Sequence, residues 1–409
     1  MKTALSLRIF AAALALTLAS AGSVLPALAQ SRRTQPTAPQ KKNQRPGEQK
    51  SGEDQPEPPP QEVINTPKDA EVERVVTNLV NVDAVVVNKK TKQLVGNLSR
   101  ANFAVFEDGV KQEITNFSTP EAKLNVAVVI EFSKWSEIFG YYGSSGMEYG
   151  TREVIAPAAI FMQDAVSRGD YISVLAYDMR TTPLTDFTND PSRINQVISL
   201  LLRNRPAFRE NNLFDALKLT LVGGKADSVV LEGRPESTSE YAGLVSVQGR
   251  RRAVLLISSG IDTFSKINYD QARKIAQNAG IPIYIIGTAN LFYKKYEHQL
   301  GATDGIDGSP GRMTFQQANN ALGTFARETG GAFFPVTFEG ELRTTVATIN
   351  ALMRSQYSLG YNPGERRDGK KHKLVVKVDV DGDGVLDEKD YEINHRQFYI
   401  APPPPGGKS

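Results

Sequence analysis

Short, continuous apolar runs that alternate with helix-length amphipathic segments restrict the possible folds of this chain most strongly. Five such runs occur: VAVVI at 126–130, YISVLAY at 171–177, AVLLIS at 253–258, PIYIIG at 282–287 and AFFPV at 332–336. Runs of this kind are typical of strands that are buried on both faces, and their alternation with helices predicts a mostly parallel sheet. The expected fold class is therefore α/β, with a doubly wound, Rossmann-like sheet.

The segments between these runs have helical periodicity. Residues 151–166 predict a helix with Pro157 in its early part. Two further helices are predicted because their apolar residues recur at helical spacing on one face. These residues are Phe315, Ala318, Leu322 and Phe325 in the first helix, and Leu342, Val346, Ile349 and Met353 in the second.

Two β-rich segments flank the α/β region. Residues 71–120 contain alternating, β-branched runs, and Asp108-Gly109 between two of them predicts a hairpin turn. Residues 357–402 return to strand character and are expected to form a C-terminal β hairpin. Their strands are expected to pair either with each other or with the first β unit.

The ends of the chain differ from the rest in composition. A basic start, an apolar stretch, and small residues at Ala27 and Ala29 are typical of a secretory signal peptide, which we expect at residues 1–29. Residues 30–70 are rich in Pro, Gln and charge, and are expected to be a disordered tether. Residues 403–409 are expected to be a disordered tail. No later apolar segment has the length of a membrane span, so the mature chain is expected to have none.

Composition argues against several classes of function. The formal net charge is +3, and loss of Lys2 and Arg8 with the signal peptide lowers it to +1, which gives no overall field for recruiting nucleic acid. The chain has no cysteine, which excludes disulfides, thiolate metal sites and cysteine nucleophiles. An exported protein without disulfides indicates a bacterial source.

The histidines do not form a recognisable catalytic set. His298, His372 and His395 are scattered through the sequence, make no HExxH pair, and are expected to be solvated at the surface. No GxSxG elbow occurs near the serines that follow the strands. The sequence therefore indicates a protein that is not an enzyme, and a hydrolase with an unrecognised active site stays the alternative from another class.

Several collinear motifs resemble von Willebrand factor type A domains. They are NFAVFEDGVKQEITNF at 102–117, VAVVIEFS at 126–133, NNLFDAL at 211–217, AVLLISSG at 253–260, ETGGAFF at 328–334 and RSQYSLGYNP at 354–363. More narrowly, the chain looks like the von Willebrand factor A-related exported proteins of Acidobacteria. The resemblance implies a type A domain at residues 121–356 and a binding or adhesion role.

The resemblance also implies a metal-ion-dependent adhesion site at the carboxyl end of the sheet. In the family this site has a DxSxS motif, a Thr on a second loop and an Asp after a later strand. The matching positions in this chain are Glu131, Ser133, Trp135, Asn211 and Ser259. Only Ser133 keeps the residue of the family motif, so we expect a degenerate site that does not bind magnesium.

The loops around this site are candidates for partner binding. The insertion GYYGSSGMEYG at 140–150 is either a mobile spacer or an aromatic recognition loop. The expected partner-binding residues lie on the loops that surround the degenerate site. They are Lys134, Trp135, Tyr141, Tyr142, Tyr149 and Asp262. The expected partner is a protein or a cell-envelope polymer.

A second metal candidate lies near the end of the chain. Residues 379–390 read DVDGDGVLDEKD and fit the pattern of a calcium-binding loop, with Gly384 at its sixth position. The predicted calcium ligands combine five carboxylates with one backbone carbonyl. They are Asp379, Asp381, Asp383, Val385, Asp387 and Asp390. A solvated acidic hairpin tip without calcium is the alternative.

The sequence thus predicts an exported binding or adhesion protein, periplasmic or at the outer surface, with a structural calcium. A structural scaffold of the cell envelope is a third possibility. The ligand and the oligomeric state do not follow from the sequence.

Overall fold

A computed structural model describes the protein at residues 79–120, 122–139, 150–225, 240–247, 250–338, 340–364, 366–402 and 404. All of these residues belong to the unit Glu73–Ser409. The expected signal peptide and tether lie outside the described residues, as does the expected tail apart from Pro404.

Strands and helices alternate through most of these ranges. The strands are β1 (Val80–Asn88), β2 (Phe103–Glu107), β3 (Val110–Gln112), β4 (Ile114–Ser118), β5 (Leu124–Glu131), β6 (Tyr171–Tyr177), β7 (Thr181–Thr188), β8 (Gly224–Lys225), β9 (Glu240–Tyr241), β10 (Arg251–Ser258), β11 (Ile283–Gly287), β12 (Phe333–Pro335), β13 (Gln356–Tyr361), β14 (Lys371–Val378), β15 (Tyr391–His395) and β16 (Phe398–Ile400). The helices are α1 (Lys134–Phe139), α2 (Gly150–Ser167), α3 (Pro191–Arg203), α4 (Leu213–Val222), α5 (Tyr269–Ala279), α6 (Asn290–Tyr296), α7 (Arg312–Thr329) and α8 (Glu341–Arg354). A short 3₁₀ turn, Arg100–Asn102, precedes β2.

The central sheet has the strand order β12-β11-β10-β5-β6-β7. Neighbouring strands from β12 to β6 run parallel, and β7 runs antiparallel to β6. The five apolar runs of the sequence form the five parallel strands, which confirms the predicted mostly parallel sheet. Every residue of β5 is buried, because helices cover both faces of the sheet.

Helices on the two faces enclose two apolar cores. In one core, Ile155 of α2, Val197 of α3 and Ile349 of α8 pack against the sheet. In the other, Leu217 of α4 and Phe325 of α7 do so. This arrangement confirms the doubly wound architecture and the predicted inward faces of α7 and α8. Among the described residues, no helix combines the length and the apolar character that crossing a bilayer requires.

Strand β7 was not predicted from the sequence. It forms the edge of the central sheet and pairs only with β6, with two shifts of register. Its sequence TTPLTDFT contains Pro183 and lacks a continuous apolar run. Proline is tolerated on an edge strand because the missing N–H is not needed by a second neighbour.

The two β-rich segments combine into one β module, which we define as residues 79–118 and 356–402. One of its sheets has the order β15-β1-β13-β4 and the other has the order β16-β14-β2-β3. Both sheets contribute to one apolar core. The predicted hairpin between β2 and β3 is confirmed, and Asp108 (φ 49°) and Gly109 (φ 86°) both adopt the positive φ that a tight type I′ turn requires.

The expectation that residues 357–402 form a hairpin is wrong. Strand β13 pairs with β1 and β4, whereas β14 pairs with β2 and β16. Strand β15 pairs with β1, so the acidic loop between β14 and β15 connects two sheets. Strands β13, β14 and β15 thus pair with strands of the N-terminal segment, whereas β16 pairs with β14 inside the C-terminal segment, so both of the expected kinds of pairing occur.

Arg251, the first residue of β10, ties the β module to the central sheet. Its guanidinium donates to the carbonyl oxygens of Pro120 and Ala122, with Nη2 at 2.6 and 2.7 Å. It also donates to Met353 O at 3.1 Å and Gln356 O at 2.9 Å through Nη1. These carbonyls lie in the two segments that connect the β module with the α/β region. One buried side chain therefore holds both connections.

Candidate binding site at the loop face

The carboxyl edge of the central sheet gathers the predicted residues of the degenerate adhesion site. Glu131 ends β5, Ser133 precedes α1, Asn211 precedes α4 and Ser259 follows β10. Glu131 Oε1 accepts hydrogen bonds from Ser133 Oγ at 2.8 Å and from Asn211 Nδ2 at 2.9 Å. Glu131 Oε2 accepts one from Ser259 Oγ at 2.8 Å. The structure thus brings four of the five matched positions together.

Three more polar groups surround Glu131 Oε2. They are the backbone N–H of Ser259 at 2.6 Å, Ser258 Oγ at 3.3 Å and the Tyr177 hydroxyl at 3.4 Å. The single hydroxyl proton of Tyr177 goes to the closer Ser258 Oγ, and the other five donors saturate the carboxylate, which offers about four lone-pair positions. Glu131 itself is 2% exposed. Its charge is therefore satisfied by the protein interior.

The Asn211 amide is oriented by the carboxylate. Its Nδ2 faces Glu131, and its buried Oδ1 has no hydrogen-bond partner among the described residues. The opposite orientation would place Oδ1 against the Glu131 oxygens and lose a charge-assisted hydrogen bond. The Oδ1 of Asn211 is therefore left unpaired because the amide turns its Nδ2 toward the Glu131 carboxylate.

Tyr177 and Ser258 complete this site, although sequence reasoning did not select them. Each ends a strand adjacent to β5, and the register pairs Tyr177 directly with Glu131. The Tyr177 hydroxyl donates to Ser258 Oγ at 2.7 Å. Burial and the nearby Glu131 charge raise the pKa of Tyr177 well above its usual value, so the phenol stays neutral. Neighbouring strand ends of a parallel sheet meet at one edge, and this rule was the available signal.

Trp135 does not belong to an exposed binding surface, which corrects the prediction from the sequence. It is 8% exposed and packs in a small apolar cluster with Ile261, Ala289 and Phe315. The guanidinium carbon of Arg209 lies 5.5 Å from the centre of its ring. Because Trp135 lies in the first turn of α1 and faces α7, it serves as a core residue.

The exposed aromatic residues of this edge are different ones. Phe208 is 45% exposed and Phe264 is 51% exposed. Lys134, which is also exposed, donates its backbone N–H to Phe208 O at 2.7 Å. Phe264 N–H donates to Asn211 O at 2.8 Å. We call residues 132–136, 204–212 and 259–268 the loop face.

The remaining predicted partner residues have different outcomes. Tyr141, Tyr142 and Tyr149 lie outside the described residues. Asp262 lies on the loop face and is partly buried, and its carboxylate accepts hydrogen bonds from Phe214 N–H and the Ser265 hydroxyl. Burial raises the pKa of Asp262 above its usual value. Its hydrogen bonds show that Asp262 also orders the loop.

The acidic loop brings together three of the predicted calcium ligands. Carboxylate oxygens of Asp379, Asp381 and Asp387 lie within 4.8 Å of one another. Asp379 accepts the N–H groups of Gly382 at 2.7 Å and Gly384 at 2.9 Å, and both glycines have positive φ. Turns of this kind point several oxygen atoms inward, as a calcium loop requires.

The other predicted calcium ligands are placed differently. Asp390 forms an ion pair with Lys90, with 2.9 Å between Oδ1 and Nζ, and this contact lowers the pKa of Asp390. Asp383 Oδ1 accepts the N–H of Val385 at 2.7 Å, and the Val385 side chain is exposed. The structure therefore provides a three-carboxylate cluster, with Asp390 occupied by a lysine of the β module.

His372 lies in a buried polar cluster, contrary to the expected solvated surface. It is 6% exposed, and its Nδ1 lies 2.8 Å from Asp108 Oδ2 while its Nε2 lies 3.1 Å from Asp368 Oδ1. Burial favours the neutral ring, but the hydrogen bonds to the two carboxylates outweigh it and raise the pKa of His372. The neighbouring Glu107 is paired with Arg366. The carboxylates of this cluster are thus paired with Arg366 and His372, and the cluster stabilises the β module.

Solved structures resemble the fold at low identity. Proximal thread matrix protein 1 of the mussel byssus aligns at 13% identity over 60% of this chain and 50% of its own length, with a TM-score of 0.36. The PilB minor pilin from Streptococcus sanguinis aligns at 11% identity over 67% and 87%, with a TM-score of 0.38. The vWF domain of the type V pili tip protein Mfa5 from Porphyromonas gingivalis aligns at 15% identity over 56% and 96%, with a TM-score of 0.35. The chain spans about half the length of the mussel protein. The sequence matches no protein-family model and no curated protein.

The topology and the site define the class of fold directly. A doubly wound sheet whose carboxyl edge gathers Glu131, Ser133, Asn211 and Ser259 is the arrangement implied by the type A resemblance. The fold that the resemblance implies is therefore confirmed, and the chain has a von Willebrand factor type A-like fold.

Proposed function

We propose that this chain is an exported, non-enzymatic binding protein that engages a protein or a cell-envelope polymer through its loop face. The observation that carries the proposal is the combination of a buried, saturated Glu131 with exposed aromatic side chains on the adjoining loops. Export is supported by the signal-peptide pattern of residues 1–29, and a periplasmic or outer-surface location follows from it.

The hydrogen bonds of Glu131 support binding without magnesium. Magnesium requires near-octahedral oxygen ligands at about 2.1 Å. The hydroxyls of Ser133 and Ser259 instead donate to Glu131, and Asn211 presents its nitrogen. A magnesium ion would need all three to turn away from a carboxylate that carries the only negative charge of the set. The donor set thus favours an internally satisfied site over a metal site.

Exposed phenylalanines support the use of the loop face for binding. Phe208 and Phe264 each expose about half of their surface, and both lie on the loop face beside the Glu131 site. Their backbones are fixed by hydrogen bonds to Lys134 and Asn211. Aromatic residues held on ordered loops lose little entropy on binding, and aromatic residues are enriched at protein interfaces.

The same site argues against catalysis by a serine. Ser133, Ser258 and Ser259 donate their hydroxyl protons to Glu131, and His372 and His395 lie in the β module. A nucleophilic serine needs a base that accepts its proton and is itself oriented by a third group. The carboxylate of Glu131 has about four lone-pair positions and already accepts from five donors, so it has no free position with which to take up a serine proton.

We also propose that Asp379, Asp381 and Asp387 bind a structural calcium ion. Three carboxylates this close repel one another unless a cation lies between them, and calcium accepts six to eight oxygen ligands in flexible geometry. The loop joins β14 to β15, and Asn102 holds it through Asp379 O at 2.8 Å. Calcium would therefore fix the link between the two sheets of the β module.

The binding proposal is tested by co-sedimentation of the full chain with isolated envelopes of the producing organism. The wild-type chain is compared with the double variant Phe208→Ser, Phe264→Ser, in buffers that contain either EDTA or magnesium. Loss of two aromatic anchors should weaken binding at least about tenfold, in both buffers alike. The matched control is Ile160→Ser, because Ile160 is 45% exposed on the outer surface of α2. Binding that requires magnesium, or that the double variant retains in full, would contradict the proposal.

A further inference from the structure

A cationic cleft lies at the edge of the central sheet opposite the loop face. It has a volume of about 530 Å³ and opens where β5 and β10 begin, against β1, β4 and β13 of the β module. This volume falls within the usual range for small-ligand pockets. Four of its lining residues are cationic, Lys123, Arg250, Arg251 and Arg252, and the acidic residue that faces them is Asp83.

The cations of this cleft are bonded to backbone carbonyls. Arg250 donates to Gly169 O at 3.1 Å, and Arg252 donates to Val245 O at 3.1 Å. Arg251 donates to carbonyls of the two connecting segments. Among the residues that the structure describes, none of these arginines forms an ion pair with a carboxylate. The carbonyl oxygens accept these hydrogen bonds but carry no net charge that would offset the charge of the guanidinium groups.

Arg396 adds a further buried cation next to the cleft. Its guanidinium donates to Asn81 O, and its tip is so close to Gly280 that a Cβ there would clash. Both Asn81 and Gly280 line the cleft. Arg396 is 7% exposed, and its Nε has no acceptor among the described residues. A buried, unpaired N–H of a charged group is costly, so it indicates that an acceptor is missing.

Burial makes this excess of positive charge unfavourable. It lowers the pKa of Arg251, Arg252 and Arg396. Asp83 is the one carboxylate among the residues that line the cleft, so it offsets at most one of these positive charges. Buried charges in proteins are normally paired, and removal of a partner from such a pair is strongly destabilising. A ligand with two negative charges would supply the compensation that the chain lacks.

We propose that this junction cleft binds a tetrahedral dianion, a phosphate or sulfate group carried by a small ligand. The guanidinium groups of Arg250 and Arg252 donate to carbonyls only through Nη1 among the described residues, so their other N–H groups are available to such an oxyanion, and Lys123 adds an exposed ammonium group. The amides and hydroxyls of Asn116, Ser118 and Ser358 line the same cleft and offer neutral donors. The rest of the volume accommodates the group to which the oxyanion is attached.

The ligand would contact both the β module and the α/β region. Asn116 and Ser358 belong to the β module, whereas Lys123 directly precedes β5 and Arg252 lies in β10 of the α/β region. Binding should therefore raise the thermal stability of the full chain. The cleft and the loop face lie at opposite ends of the strands, so a failure of this proposal leaves the proposed function untouched.

The test is isothermal titration of the full chain with inorganic phosphate and, separately, with sulfate, at constant ionic strength set with chloride. Comparison of the two oxyanions distinguishes a phosphorylated from a sulfated ligand. We expect saturable binding of at least one oxyanion, and Lys123→Glu should weaken it at least about tenfold, because an attractive charge becomes repulsive.

Lys218→Glu is the matched control, since Lys218 is an exposed lysine of α4 outside the cleft, and its affinity should equal that of the wild type. Lys123 is exposed, so its replacement should leave folding intact, as urea unfolding would verify. A second variant, Asn116→Asp, places a negative charge at the other wall and should weaken binding in the same direction. Heat signals no larger than those of chloride, or equal affinities of the wild type and Lys123→Glu, would overturn the proposal.

Discussion

Replacement of Glu131 by alanine removes the acceptor that holds the loop face together. The hydroxyls of Ser133 and Ser258 can rotate toward other oxygens, so their loss of a partner is partly recovered. The N–H of Ser259 and the Nδ2 of Asn211 are fixed by the backbone and by packing, and both become unpaired donors in a buried site.

The cost follows from these two donors. A buried donor without a partner destabilises a protein by about 1–3 kcal/mol, so two of them predict a loss of about 2–6 kcal/mol in the free energy of unfolding. The measurement is urea unfolding of the full chain, read as the change in midpoint at constant slope. Glu297→Ala is the control, because Glu297 is exposed at the end of α6, and its effect should stay within about 0.5 kcal/mol.

Two results would refute this reasoning. A loss below about 1 kcal/mol in Glu131→Ala would show that the hydrogen bonds to Glu131 do not stabilise the fold, given the cost of unpaired donors. A wild-type free energy of unfolding that rises with magnesium, while that of Glu131→Ala does not, would show that the carboxylate holds a metal.

Three further perturbations probe the rest of the molecule. Arg251→Met should lower the free energy of unfolding by about 3–5 kcal/mol in urea titrations, because it leaves carbonyls of both connecting segments without donors. His372→Gln should remove a stability term that is present at low pH and lost as pH rises through the raised pKa of the folded state, as seen in urea midpoints from about pH 6 to about pH 9. Asp379→Asn with Asp381→Asn should abolish calcium binding in equilibrium dialysis.

Each of these predictions has its own contrary outcome. An Arg251→Met variant as stable as the wild type would mean that the hydrogen bonds of Arg251 do not stabilise the connections between the β module and the central sheet. A pH dependence identical in wild type and His372→Gln would place His372 outside any titrating cluster. Calcium binding retained by the doubly substituted loop would assign the ion to other ligands. In all three series Lys218→Gln is the control, because it removes one charge at an exposed position.

The central sheet could be predicted because each of its five parallel strands is a continuous apolar run that can be recognised in the sequence. VAVVI and AVLLIS form the neighbouring strands β5 and β10, and any chain that buries both must place helices on each face. Strand β7 was not predicted because it lies at the edge of the sheet, pairs with β6 and contains Pro183. A strand in that position does not need the continuous apolar run by which the other strands were recognised. The pairing of β13 with β1 was left open since nothing local in either strand selects a partner more than 250 residues away.

The site was predicted in its positions and only partly in its chemistry. The resemblance located Glu131, Ser133, Asn211 and Ser259, which do converge. It placed Trp135 on the exposed face, because a short helix of six residues has no periodicity from which its inward side can be read. The exposed Phe208 and Phe264 were missed because single aromatic residues in loops look alike in sequence whether they are buried or not.

The central claim is that the loop face of this type A-like fold is completed by hydrogen bonds and not by a metal. The most direct measurement is isothermal titration of EDTA-treated full chain with magnesium, in the wild type and in Glu131→Ala. The account predicts no saturable magnesium binding that depends on Glu131, since that carboxylate already accepts five hydrogen bonds. One equivalent of magnesium bound by the wild type and lost in Glu131→Ala would contradict it.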